Sequence, residues 1–131
     1  MISKADLRKI SRARLLDAKE LLRAKRYDGA VYVCGYAVEI ALKARICRSL
    51  GWTEYPSIKR DFQNLQSFKS HDLDVLLRLS GVESNIKTNH IGEWSAVATW
   101  DPEVRYKPVG TATRQDAEMI IDAATKLLRA L

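Results

Sequence analysis

At 131 residues with 47% hydrophobic content, the chain is the size of a single domain and rich enough in apolar residues for one continuous core. Its net charge of +6 is local: residues 1–26 hold nine Lys/Arg against three Asp/Glu, which accounts for the whole excess. The longest apolar stretch is too short for a bilayer and contains Glu39, and the N-terminus "MISKADLRKISRAR" carries charges where a signal peptide needs an apolar segment. A soluble cytoplasmic protein is therefore expected, with no membrane partner.

Helical spacing dominates from the first residues. Ser3 followed by Asp6 reads as a helix start, and Leu7, Ile10, Ala18, Leu21 and Leu22 form one apolar stripe to about Lys25. On the same helix Arg8, Arg12, Lys19, Arg23 and Arg26 fall within a narrow arc. That row suits phosphate contacts with RNA or suits a solvated face, and no aromatic residue interleaves it for base stacking.

A second helix runs from about Tyr27 to Leu50 and closes at Gly51. It is apolar nearly all round, which predicts a central position. Cys34 and Cys47 would sit roughly 20 Å apart along it, beyond disulfide reach, so both read as core residues or free thiols. Glu39 is the exception in this run. A buried carboxylate needs a cation or several donors, and Lys43 at i+4 is the local candidate. Gly35, one turn away, predicts close approach of another backbone. The pair reads either as a structural lock on helix register or as part of a polar pocket that recognises a ligand.

Residues 51–70 form the longest irregular candidate, with one short helix near Asp61–Phe68. Ser70 is expected to cap a third helix with Leu73, Leu76 and Leu77 on its core face, ending at Gly81. A fourth, about Ser84 to Trp100, aligns Ile86, His90, Trp94 and Val97, which predicts a core histidine at 90. "TWDPEVRYKPVG" then places Trp100, Arg105 and Tyr106 close together. Either the two rings seal the bundle end while Arg105 pairs with a buried acid such as Glu39, or Arg105 faces a phosphate beside them. Thr113 with Asp116 opens a last amphipathic helix.

The expected fold is all-α: an antiparallel up-and-down bundle of four to five helices with no convincing strand. The predicted core includes Leu21, Val33, Ile40, Leu76, Trp94, Val97, Ile121 and Leu128. No phosphate-loop, dinucleotide or zinc signature is present, and neither His71 nor His90 has a recognisable triad neighbour. No metal, cofactor or catalytic residue is assigned.

"GYAVEIALKARI" on the second helix, "SHDLDVLL" at the third and "WDPEVRY" before the last together resemble the HEPN domain (higher eukaryotes and prokaryotes nucleotide-binding). The resemblance implies one helical bundle over residues 1–131 that commonly dimerises. It also implies a place in bacterial toxin–antitoxin or phage-defence systems, often beside a small nucleotidyltransferase. Active members of the family are similar in being metal-independent ribonucleases, with an arginine followed four to six residues later by a histidine. Here Gly110, Thr111 and Ala112 occupy those positions after Arg105, and no arginine stands at the matching distance before His71 or His90. The leading expectation is a non-catalytic, homodimeric module binding nucleotide, RNA phosphate or a partner protein through Glu39, Lys43, Arg105 and Tyr106. A divergent ribonuclease toxin using His71 or His90 with Arg105, and a structural helical subunit without ligand, are the alternatives.

Overall fold

The computed structural model describes all 131 residues. Two long helices, α1 (Lys4–Arg23) and α2 (Tyr27–Leu50), are joined by a tight connection and so run antiparallel. Three short helices follow: α3 (Leu73–Leu79), α4 (Glu83–Asn89) and α5 (Ile91–Val97). The long helix α6 (Arg114–Ala130) closes the chain. Three 3₁₀ turns, Lys59–Phe62, Gln66–Phe68 and Pro102–Tyr106, punctuate the connections. The fold is all-α, an antiparallel helical bundle, and the expected central helix is central: α2 packs against α1, α3 and α6.

Local chemistry explains most of the boundaries. The Ser3 hydroxyl accepts from the Asp6 backbone N–H at 3.0 Å and starts α1. Thr113 and Asp116 form a reciprocal capping box at the start of α6. Gly51 ends α2 in the left-handed conformation, φ +68°, where its N–H can turn back to the Arg48 carbonyl without a Cβ clash.

The third helix starts differently from the expectation. Asp72, not Ser70, is its cap, because the Asp72 carboxylate accepts from both Asp74 and Val75 N–H; Ser70 instead accepts from Asp72 N–H. The expected fourth helix is broken at His90, whose φ of −135° leaves the helical range, so the bundle has six helices and not four to five. Ile86, Trp94 and Val97 of its apolar stripe remain buried on both sides of the break. His90 itself is half-buried at the kink, which removes it as a packed core histidine. A minimal antiparallel strand pair, β1 (Ile2–Ser3) with β2 (Glu54–Tyr55), ties the start of the chain to the irregular segment in the register Ile2 to Tyr55.

The core is one cluster running through all three long helices. Of the residues expected there, Leu76, Trp94, Val97 and Ile121 are buried, while Leu21, Val33, Ile40 and Leu128 are partly buried against its margin. Each fully buried Leu or Ile contributes about 1.5–3 kcal/mol, so α2, with Val38, Leu42 and Ile46 wholly enclosed, anchors the fold. Cys34 and Cys47 are buried free thiols. Burial pushes the Cys34 thiol up to about 12, which leaves it unreactive as a nucleophile at neutral pH. No helix is long and apolar enough to cross a membrane.

Candidate functional site

The sequence confines Glu39 to the middle of the most buried helix, and the structure supplies the partners it requires. Its side chain is only 4% exposed. Lys43, one turn along α2, brings Nζ to 3.4 Å from Oε2. His71, in the segment just before α3, brings Nδ1 to 2.7 Å from Oε1. The carboxylate is thus held by one local and one distant partner, in agreement with the demand that a buried charge be paired. Lys43 also lies 5.5 Å from the centre of the Tyr55 ring, a cation–π contact that helps hold its stem. The imidazole is mostly exposed, with 63% of its side chain accessible. Because Nδ1 faces the carboxylate, the second ring nitrogen is left for other contacts.

Arg105 does not join this pair. Its Nη1 donates to the Pro102 carbonyl at 3.1 Å, and the guanidinium lies 4.7 Å from the Tyr106 ring centre. The expected Arg105–Glu39 link is absent because the 3₁₀ turn Pro102–Tyr106 folds the arginine back on its own carbonyl and ring. Tyr106 is 73% exposed, so it does not seal the bundle end. Trp100 does: its ring is buried directly over Gly35. A Cβ at Gly35 would come within 1.9 Å of the indole, so glycine is required by a side chain, where a backbone had been expected.

An aromatic line joins these two parts of the surface. Tyr32 and Tyr36 meet edge to face at 5.3 Å, and Tyr36 meets Trp100 at 5.0 Å. Burial and the neighbouring Tyr32 push the Tyr36 hydroxyl up to about 12, with Glu39 adding to the rise and Arg105 opposing it. Tyr36 therefore stands between the fields of the buried acid and the exposed guanidinium. On the other side of the loop, Trp100, Val104, Met119 and Ile120 floor a cavity of about 330 Å³ with Lys107 among its lining residues. The Asp28 carboxylate anchors the loop's end by accepting from the N–H groups of Gly110 and Ala112, which hold its pKa below the usual 3.8. Sequence reasoning missed Tyr36 and Trp100 as a pair. The signal was a glycine beside a tyrosine on an otherwise crowded helix.

The basic row of the first helix is not a unit. Arg23 is ion-paired with Glu20 at 2.7 Å, Lys19 is half-buried, and Arg26 precedes α2 as an exposed residue at its start. Arg8 and Arg12 are exposed and point to a different neighbourhood, between α1, α2 and α6. No group of three or more His, Cys, Asp or Glu stands together that could hold a metal ion.

Neither a curated protein nor a solved structure was found to match the chain. The family model described as "HEPN domain" matches residues 5–131, nearly the whole chain, and the protein belongs to the HEPN domain family.

Proposed function

We propose that this HEPN domain binds nucleotide or RNA through phosphate contacts and does not cleave it. The observation that carries this reading is Arg105. It is an exposed guanidinium without an acidic partner, stacked on the exposed Tyr106 ring. A phosphate facing Arg105 with a base against Tyr106 uses both groups as they stand. Glu39 and Lys43 then support the surface from beneath: they hold His71 and the α2 face on which Tyr36 and Trp100 pack. The family reading also carries a homodimer and a nucleotidyltransferase partner within a defence or toxin–antitoxin system. Light scattering of the purified protein, and co-purification with a nucleotidyltransferase, test these two parts.

The direct test is binding of a short fluorescent oligoribonucleotide, followed by anisotropy. Arg105→Ala and Tyr106→Ala should each weaken binding about ten-fold, since a charged hydrogen bond or a stacked base contributes on that scale. Equal affinity of both variants and wild type rejects the reading.

A second reading has its own support in the His71–Glu39 pair. A buried carboxylate that orients an exposed imidazole through Nδ1 leaves Nε2 placed to take a proton, which is the requirement for a general base. Under this reading the domain is a metal-independent ribonuclease. RNA cleavage in the presence of a chelator, lost in His71→Ala, would replace the binding-only proposal.

A further inference from the structure

A second concentration of charge lies away from the Glu39 face. Arg8 and Arg12 of α1, Arg45 and Arg48 of α2, and Arg129 of α6 line one groove of about 220 Å³. Its floor is made of small residues, Ala41 and Ala44 of α2, which let three helices approach and leave room between the guanidinium groups. No Asp or Glu side chain lines the groove and none pairs with the five arginines; Leu131, whose main-chain oxygen lies 3.4 Å from Arg45 Nη1, is also in the lining. Ser11, also in the lining, is already used: its hydroxyl donates to the Ala37 carbonyl at 2.8 Å.

Arg45 is the anomalous member. Its Nε is buried and has no hydrogen-bond partner, and Nη1 makes one long bond, 3.4 Å, to the Leu131 carbonyl. A buried donor is costly when unpaired, and like charges packed together repel. Desolvation, Arg48 and Arg8, in that order, lower the pKa of Arg45. In a fold where the buried charge, Glu39, has two partners, a half-buried guanidinium left short of acceptors and beside four more marks a place for an external anion.

We infer that the Arg8–Arg12–Arg45–Arg48–Arg129 groove is a phosphate-binding site, separate from the Arg105 surface, that takes the phosphate groups of a nucleic-acid backbone or of a free nucleotide. Guanidinium forks from three directions match the several oxygens of a phosphate better than the single plane of a carboxylate. The volume is below the roughly 300–1,000 Å³ of pockets that enclose whole small molecules. It therefore fits the phosphate portion, with the rest of the ligand lying outside.

The test uses the full chain with three probes: inorganic pyrophosphate, a nucleoside triphosphate and a short single-stranded oligoribonucleotide. The Arg45 side-chain Nε–H resonance in a nitrogen-correlated NMR spectrum should shift with at least one of them. Arg12→Gln and Arg48→Gln change exposed residues and leave the core intact, so they keep the test open should Arg45→Gln fold poorly. Each should weaken binding by about ten-fold, and on the oligoribonucleotide the salt slope should fall by about 0.7 per arginine removed. Arg23→Gln, outside the groove, should leave binding unchanged. Arg105→Ala should leave the pyrophosphate-induced shift at Arg45 unchanged, which separates this site from the one proposed above. Preference for the oligoribonucleotide over the triphosphate identifies a backbone ligand, and the reverse identifies a nucleotide. The inference is overturned if no probe shifts Arg45 or if the groove variants bind like wild type.

Discussion

Helix α2 carries two polar regions less than two turns apart, and they are built on opposite principles. Around Glu39 the charge is buried and satisfied: Lys43 at 3.4 Å and His71 at 2.7 Å meet both carboxylate oxygens. Around Arg45 the charge is half-buried and only partly satisfied, with an enclosed, unpartnered Nε among four further arginines. A satisfied buried charge fixes the positions of its neighbours, because moving any of them exposes the cost of desolvation. An unsatisfied one leaves stability unclaimed until something binds.

The sharpest way to break the comparison begins at the satisfied face. Gly35→Ala should destabilise the fold by about 3 kcal/mol, because the new Cβ meets the Trp100 ring at 1.9 Å and neither helix nor indole can yield freely. Thermal or urea unfolding measures this; an unchanged midpoint would show that Trp100 is free to leave Gly35. Glu39→Ala should cost about 2 kcal/mol, somewhat less than stranding a fully enclosed cation, since Lys43 and His71 both reach solvent. Glu39→Gln should cost about 1 kcal/mol, keeping the shape and one acceptor. If all three proteins unfold together, the Glu39 cluster is not a structural lock.

At the arginine groove the sign should reverse. Arg48→Gln removes one of five like charges and should leave stability within about 0.5 kcal/mol of wild type, or raise it, in the absence of any anion. A clear loss of stability would mean that the groove is already satisfied and the contrast with Glu39 is false. Added pyrophosphate should raise the wild-type melting temperature more than that of the variant.

The smallest effect is expected at Asp28, which lies on the surface and holds the end of the Arg105 loop. Hydrogen bonds from Gly110 and Ala112 depress its folded pKa below 3.8. A depressed carboxylate contributes stability at pH values above its ordinary pKa and loses it as pH falls through the lowered one. Asp28→Asn should therefore lower stability slightly at neutral pH, where the depressed carboxylate contributes, and the difference from wild type should vanish as pH falls below about 4. A profile identical to wild type would show that the loop is not anchored there.

Much of this architecture was legible because its causes are local. Ser3, Gly51 and the Thr113–Asp116 box act within one turn of the chain, so the ends of α1, α2 and α6 could be read directly. The same holds for Glu39: an acid in an apolar helix must be paired, and Lys43 lies one turn away.

Other features depend on residues far apart in sequence, and there the tertiary structure decided. His71 reaches Glu39 across 32 positions, while Arg105, the expected partner, is turned back by its own 3₁₀ segment. His90 breaks a helix that apolar spacing alone made continuous, because spacing reports which face is buried but not where the axis bends. The arginine row of α1 looked like one surface; packing split it, leaving Arg23 with Glu20 and bringing Arg8 and Arg12 beside Arg45, Arg48 and Arg129. A helical wheel orders the residues of one helix, whereas a binding groove exists only between helices. The sequence by itself determined the helices and the need to pair Glu39, through short-range hydrogen bonding and the cost of burying charge. Only the packing of α1, α2 and α6 determined which charges found partners and which five arginines were gathered with no Asp or Glu side chain beside them.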